Sequence, residues 1–143
     1  MKDLKIFLGF FLVAFLSLTS LSSCTKDEGV KNNCYFTLGV TENSSTYTDK
    51  TQAAQLEKYE RDVFNAYISA LGMTSENNTV MIAGDYATVA AAMKAKFEST
   101  TLPEAPVFTE CKYSFTMSLS GNDVNKDQSS SITPIVSKTF TNN

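Results

Sequence analysis

The sequence predicts an α+β domain: a small mixed sheet in the order β-α-β-α-β-β, with two helices packed on one face. Three observations carry that expectation. Residues 34–40 and 111–119 alternate apolar and polar side chains with period two, the pattern of strands covered on one side. Residues 50–71 and 86–98 repeat apolar side chains at helical spacing. The two kinds of segment interleave, so that helical crossovers can lie against a sheet.

In 34–40, Cys34, Phe36, Leu38 and Val40 face one way, and Tyr35, Thr37 and Gly39 the other. Residues 41–48, rich in Ser, Thr and Asn, are expected to be a loop. Asp49 opens the clearest helix. Its carboxylate can cap the first turn, Gln52 completes a capping-box pattern, and Gly72 supplies a stop. Leu56, Tyr59, Val63, Tyr67 and Ala70 form its stripe, widened by Phe64, Ile68 and Leu71 to suit packing on a sheet. Glu57–Arg61 and Lys58–Asp62 are i,i+4 pairs on the other side.

Residues 79–83 are short, apolar and β-branched, and read as a buried strand. Asp85 can cap a second helix over 86–98, with Tyr86, Val89, Ala90, Met93 and Phe97 inward. Two prolines make 99–106 a loop. Residues 107–119 give the strongest strand signal, and 120–130 a polar turn. The last strand, 131–141, contains Pro134, which cannot donate to a ladder and so belongs on an edge.

The N-terminal stretch follows different rules. Lys2 and Lys5 precede an apolar run at 6–18 that includes Phe7, Phe10, Phe11 and Phe15. That run has the length of a secretory h-region and is too short to cross a ~30 Å hydrocarbon layer as a helix. Leu21-Ser22-Ser23-Cys24 follows it. These residues resemble the lipobox of Gram-negative bacterial lipoproteins. The resemblance implies that 1–23 is a signal peptide and that the Cys24 thiol is acylated with palmitate-type chains. Polar composition without periodicity makes 24–33 a flexible tether, and the length of 34–143 suits a single domain. Thr25 replaces the aspartate of inner-membrane retention, and Lys26-Asp27-Glu28 resembles a surface-export signal. The expected location is therefore the outer membrane, lipid-anchored and surface-exposed. One acyl chain holds a protein only marginally at ~0.8 kcal/mol per buried methylene, whereas several chains hold it firmly.

Lipidation of Cys24 would account for the odd one of three cysteines. Cys34 and Cys111 are then expected to form a disulfide in an oxidising compartment, worth roughly 4 kcal/mol by loop closure. The alternative is two free, buried thiols.

Composition narrows the chemistry. The chain has no histidine, so a Ser-His-Asp triad and a histidine-based zinc site are excluded. Its net charge of −3, without a Lys/Arg cluster, gives no footprint for nucleic acid. No glycine-rich phosphate loop follows a strand. Glu57, Glu60 and Asp62 place carboxylates on one helix, the raw material of a glycosidase-like pair or of a solvated face. Asp123, Asn125, Asp127 and Ser129 resemble the alternating oxygen ligands that open an EF-hand calcium loop. Gln128 stands where that loop has its turning glycine, and Pro134 where it has its bidentate glutamate. The other reading of the stretch is a soluble hairpin loop. No cofactor besides calcium is suggested. Tyr35 and Tyr47 are candidates for stacking on a sugar or anchoring a protein partner.

These features lead to the expectation of a non-enzymatic binding or accessory module with a protein or glycan partner, membrane-bound through its lipid. The alternatives are a lipid-anchored, carboxylate-dependent hydrolase and an inhibitor or immunity-type protein with an acidic surface.

Overall fold

The computed structural model describes residues 33–124 and 134–142, so the leader, Cys24 and the tether lie outside the described residues. The chain runs β1 (Asn33–Tyr47), α1 (Lys50–Leu71), β2 (Thr79–Ala83), α2 (Tyr86–Glu98), β3 (Cys111–Asp123) and β4 (Pro134–Thr141). The class is α+β, in the expected element order. The sheet order is β2-β1-β3-β4, and every pairing is antiparallel, so the sheet is not mixed.

Helix length explains the difference. The 22 residues of α1 rise about 33 Å, the length of about ten strand residues. Starting beside Tyr47, the helix therefore returns the chain only to the level of Thr37. There β2 begins, with Thr79 opposite Thr37, and continues in the helix's own direction until Ala83 meets Asn33. A parallel β2 would have required the helix to carry the chain beyond Asn33 first. Helix α2 and the extended segment 99–110 then return the chain to the far end, where Cys111 stands opposite Tyr47.

Local chemistry fixes the helix ends. The Asp49 carboxylate accepts from the Thr51 N–H at 2.8 Å, and Gly72 closes α1 in the left-handed region at φ 72. Asp85 accepts from the Thr88 N–H at 3.0 Å. Gln52 departs from the capping box. Its Oε1 accepts from the backbone N–H groups of Thr109 and Glu110 at 3.2 and 3.0 Å, and its Nε2 donates to Thr109 Oγ1 at 3.0 Å. Capture of those amides by a helix side chain keeps 107–110 out of the sheet, so β3 starts at Cys111.

The core lies between the helices and one face of the sheet. Phe36, Leu38, Phe115, Met117 and Leu119 are wholly buried there, against Leu56, Val63, Tyr67, Met93 and Phe97 of the helices. Tyr67 stacks on Phe97 at 4.2 Å and ties α1 to α2. Burial pushes its phenol up to about 12. Gly121 of β3 stands opposite Phe36. A Cβ there would lie 2.6 Å from Phe36 Cε1 and 2.9 Å from Tyr86 Oη. Its lack of a side chain lets the Phe36 ring lie across the strand and stack with Tyr86, at 6.2 Å and 5°. Gly121→Ala is expected to destabilise by about 1–3 kcal/mol through overpacking. Urea unfolding measures this, and an unchanged midpoint would mean that the two rings move aside freely.

The expected disulfide is not made. Cys34 and Cys111 are both buried free thiols. Their strands are neighbours, but antiparallel. Cys34 stands opposite Asp123 and Cys111 opposite Tyr47, at opposite ends of the ladder. About twelve strand residues, or roughly 40 Å, separate them, against a limit of about 7 Å between bridged Cα atoms. Cys34 instead donates its S–H to the Gly84 carbonyl at 3.3 Å. A reductant is therefore expected to leave the melting temperature unchanged. A reductant-induced drop of several degrees would restore the bridge.

Strand β2 covers β1 only from Asn33 to Thr37. Asn78 closes that pairing: its carbonyl accepts from the Leu38 N–H at 2.9 Å, and its Nδ2 donates to the Leu38 carbonyl at 2.7 Å. Beyond Leu38, no strand among the described residues pairs with that side of β1. The β1–β3 register also shifts between Glu42 and Ser44, leaving Asn43 as a bulge. Pro134 opens β4, which among the described residues pairs only with β3, as expected of an edge strand.

Candidate functional site: the uncovered face of the sheet

Period-two alternation gives the sheet a second face, opposite the helices, which no helix or strand among the described residues covers. Its side chains fall into cross-strand rows. Tyr35 lies between Met81 and Asn122, and Thr37 between Thr79 and Ser120. Gly39 is followed across the sheet by Ser118 and Ser137, and Thr41 by Thr116 and Thr139. Ser44 is followed by Ser114 and Thr141, and Thr46 by Lys112. Hydroxyls dominate these rows, and Lys112 is their only charged side chain. Solvated protein surface is ordinarily about 25–35% charged, so this face departs from the norm.

Some hydroxyls bond to one another. Thr116 Oγ1 and Thr139 Oγ1 share a hydrogen bond at 2.9 Å. Asn43, at the bulge, donates to Ser114 Oγ at 3.2 Å and Thr116 Oγ1 at 2.9 Å. Each hydroxyl donates once and accepts twice, so capacity remains. Tyr35 is half-buried at one end, and Met81 beside it is 57% exposed. Tyr47, the other candidate tyrosine, lies instead in a helix-side row opposite Cys111, near the far end of the sheet.

The carboxylates gather on the helix side. Glu60 of α1 is half-buried, and its carboxyl is pushed up to about 7 by burial, then by Glu42 of β1, then by Glu57. Glu42 accepts a hydrogen bond from Ser45 Oγ. Burial and then Glu60 raise the neighbouring Cys111 thiol. The Tyr59 and Tyr113 rings meet edge-on at 6.1 Å, and burial raises both phenols. Near neutral pH, Glu60 can both hold and release a proton. A cavity of about 250 Å³ opens beside α1, lined by Gln55, Lys58, Tyr59, Asp62, Pro103, Glu104 and Pro106. Lys58 and Asp62 are ion-paired there at 2.6 Å, as the i,i+4 spacing predicted. Neither Glu57 nor Glu60 lines the cavity.

Of the calcium-type residues, Asp123 ends β3 opposite Cys34. Asn125, Asp127 and Ser129 lie outside the described residues, as does Cys24. Val124, between them, donates its N–H to the Asn33 carbonyl at 3.0 Å. Among the described residues, no group of three or more cysteines or carboxylates could hold a metal ion. No described helix is long and apolar enough to cross a membrane.

Sequence reasoning missed two features of this region. Residues 41–47 are strand rather than loop, which lengthens the hydroxyl face by Thr41, Ser44 and Thr46. The Glu42–Glu60 proximity depends on that same extension. No family model matches the chain, and no curated protein or solved structure matches it.

Proposed function

We propose that this protein is a surface-exposed lipoprotein of the outer membrane, held by acyl chains on Cys24. Its folded body acts as a non-enzymatic binding module through the uncovered face of the sheet. The anchor rests on the Leu21-Ser22-Ser23-Cys24 motif and the apolar run before it. The binding role rests on one observation: an extended sheet face almost without charge, lined by hydroxyls, with Tyr35 and Met81 at one end.

Labelling with a palmitate analogue tests the anchor. Cys24→Ala is expected to abolish the label and release the protein from membranes, because no acyl chain remains. An unlabelled parent chain would overturn the anchoring. Protease treatment of intact cells is expected to remove the protein, and its persistence would overturn surface display. A photo-crosslinking residue at Ser118, on the uncovered face, is expected to capture a partner that the same residue at Lys94 of α2 does not. Equal capture from both positions would overturn the assignment of the face.

A second reading, a carboxylate-dependent hydrolase, draws its support from Glu60, whose carboxyl stands near neutrality beside Glu42. It predicts an activity on a polymer that Glu60→Gln abolishes.

A further inference from the structure

We propose that the uncovered face takes a neutral polysaccharide, laid along β1 and β3 with one sugar ring against Tyr35. The inference rests on the reading of that face as the binding surface and names its ligand class.

Charge excludes most other ligands. An anionic polymer is held by several cations, and the rows offer only Lys112, at one end. A cation requires carboxylates, and the rows contain none. A protein interface is built around a desolvated apolar centre. Here Tyr35 and Met81 lie at one end of the face, and the middle is Gly39, Thr41, Thr116 and Ser118. Burying that middle beneath a partner with fixed donors and acceptors would strand hydroxyls without bonds.

A glycan avoids the mismatch. Its hydroxyls, like those of Ser and Thr, donate once and accept twice, so either member of a contact can supply the proton. The β1–β3 ladder runs from Cys34 opposite Asp123 to Tyr47 opposite Cys111, about 40 Å, with hydroxyl rows at intervals of roughly 7 Å. This is an extended track suited to an extended chain. Tyr35 adds an aromatic surface for the apolar face of one ring, with Asn122 in the same row as an amide donor and acceptor.

The test is affinity electrophoresis of the detergent-solubilised full chain. Native gels are cast with soluble starch, laminarin, glucomannan or xylan, and with polygalacturonate as an anionic control. At least one neutral polymer is expected to retard the protein, equally at low and high salt, while polygalacturonate does not. Tyr35→Ala is expected to weaken that retardation about tenfold, the loss of a central aromatic contact. Ser118→Arg and Ser137→Arg, which stand side by side in one row of the face, should abolish it with thermal melts unchanged, while Lys94→Ala on α2 retains it. Retardation by none of the neutral polymers overturns the proposal, as does stronger retardation by polygalacturonate or normal binding by the arginine variants. A concentration-dependent dimer broken by Ser118→Arg would assign the face to a second copy of the chain and also overturn it. Capture of a protein from Ser118 without polysaccharide binding removes the glycan and leaves the binding module. Failure of both removes both.

Discussion

Phe115→Ala is expected to destabilise the fold by about 3–5 kcal/mol. Phe115 sits on the helix side of β3 with no exposure. Its ring stacks on Phe140 at 4.8 Å and on Tyr113 at 5.7 Å, and meets Tyr59 of α1 edge-on at 5.9 Å. One side chain thus joins the long helix, a central strand and an edge strand. Truncation removes apolar contact area and leaves a void that three rings cannot all collapse into. The loss is a large share of the roughly 5–15 kcal/mol that holds a domain together. Urea unfolding of the variant measures it. Phe115→Leu should cost distinctly less, because it restores most of the volume. Equal losses for the two variants would indicate that ring geometry, rather than filled space, carries the contribution.

The second large effect is a dependence of stability on pH, centred on Glu60. In the folded chain its carboxyl stands at about 7, against an ordinary value of 4.5. Between those values the folded state keeps a proton that the unfolded state has released. Stability therefore falls as pH rises through this window and levels off above it. Glu60 is only half-buried, and solvent screening reduces the full shift to a loss of about 1–2 kcal/mol. The groups acting on it are Glu42 across from β1 and Glu57 on its own helix, with Cys111 and Tyr113 beside it. Glu60→Gln keeps the shape and removes the charge. It is expected to flatten the curve and to stabilise the protein at pH 8 by about the same 1–2 kcal/mol. Melting temperatures at pH 5 and pH 8 for parent and variant decide it. Parallel slopes would exclude Glu60 as the source.

Much of this fold was legible in the chain because local chemistry and tertiary structure agree. Asp49 and Gly72 bound α1 as capping rules require, and the alternation from Cys111 to Leu119 matches burial residue by residue. Pro134 reaches the edge for the reason that its missing N–H dictates. The misreadings share one cause, a non-local geometry that periodicity does not encode. The direction of β2 follows from where a 22-residue helix stops relative to a strand whose true length was hidden. That length was hidden because Glu42 and Ser45, on the helix side, are polar, so the upper half of β1 carries no apolar alternation. Strand direction in turn decides where the cysteines lie. Placing both on inward faces was correct, yet it left their separation along the ladder undetermined. The hydroxyl rows were visible as Ser and Thr on outward positions of β3, but their continuation over β1 and β4 required the register.

The half-length pairing of β2 has a consequence for coexistence with other copies. Among the described residues nothing pairs with β1 on that side from Gly39 onward, leaving a rim of backbone amides and carbonyls that an extended peptide could zip onto, the usual seed of fibrils. The extra residue at Asn43 puts the two halves of that rim out of phase, so an incoming straight strand can match one half but not both. The Glu42 carboxylate, next to the kink, repels its own twin in a like-for-like stack. An irregularity of one residue thus acts as a built-in stop against runaway polymerisation.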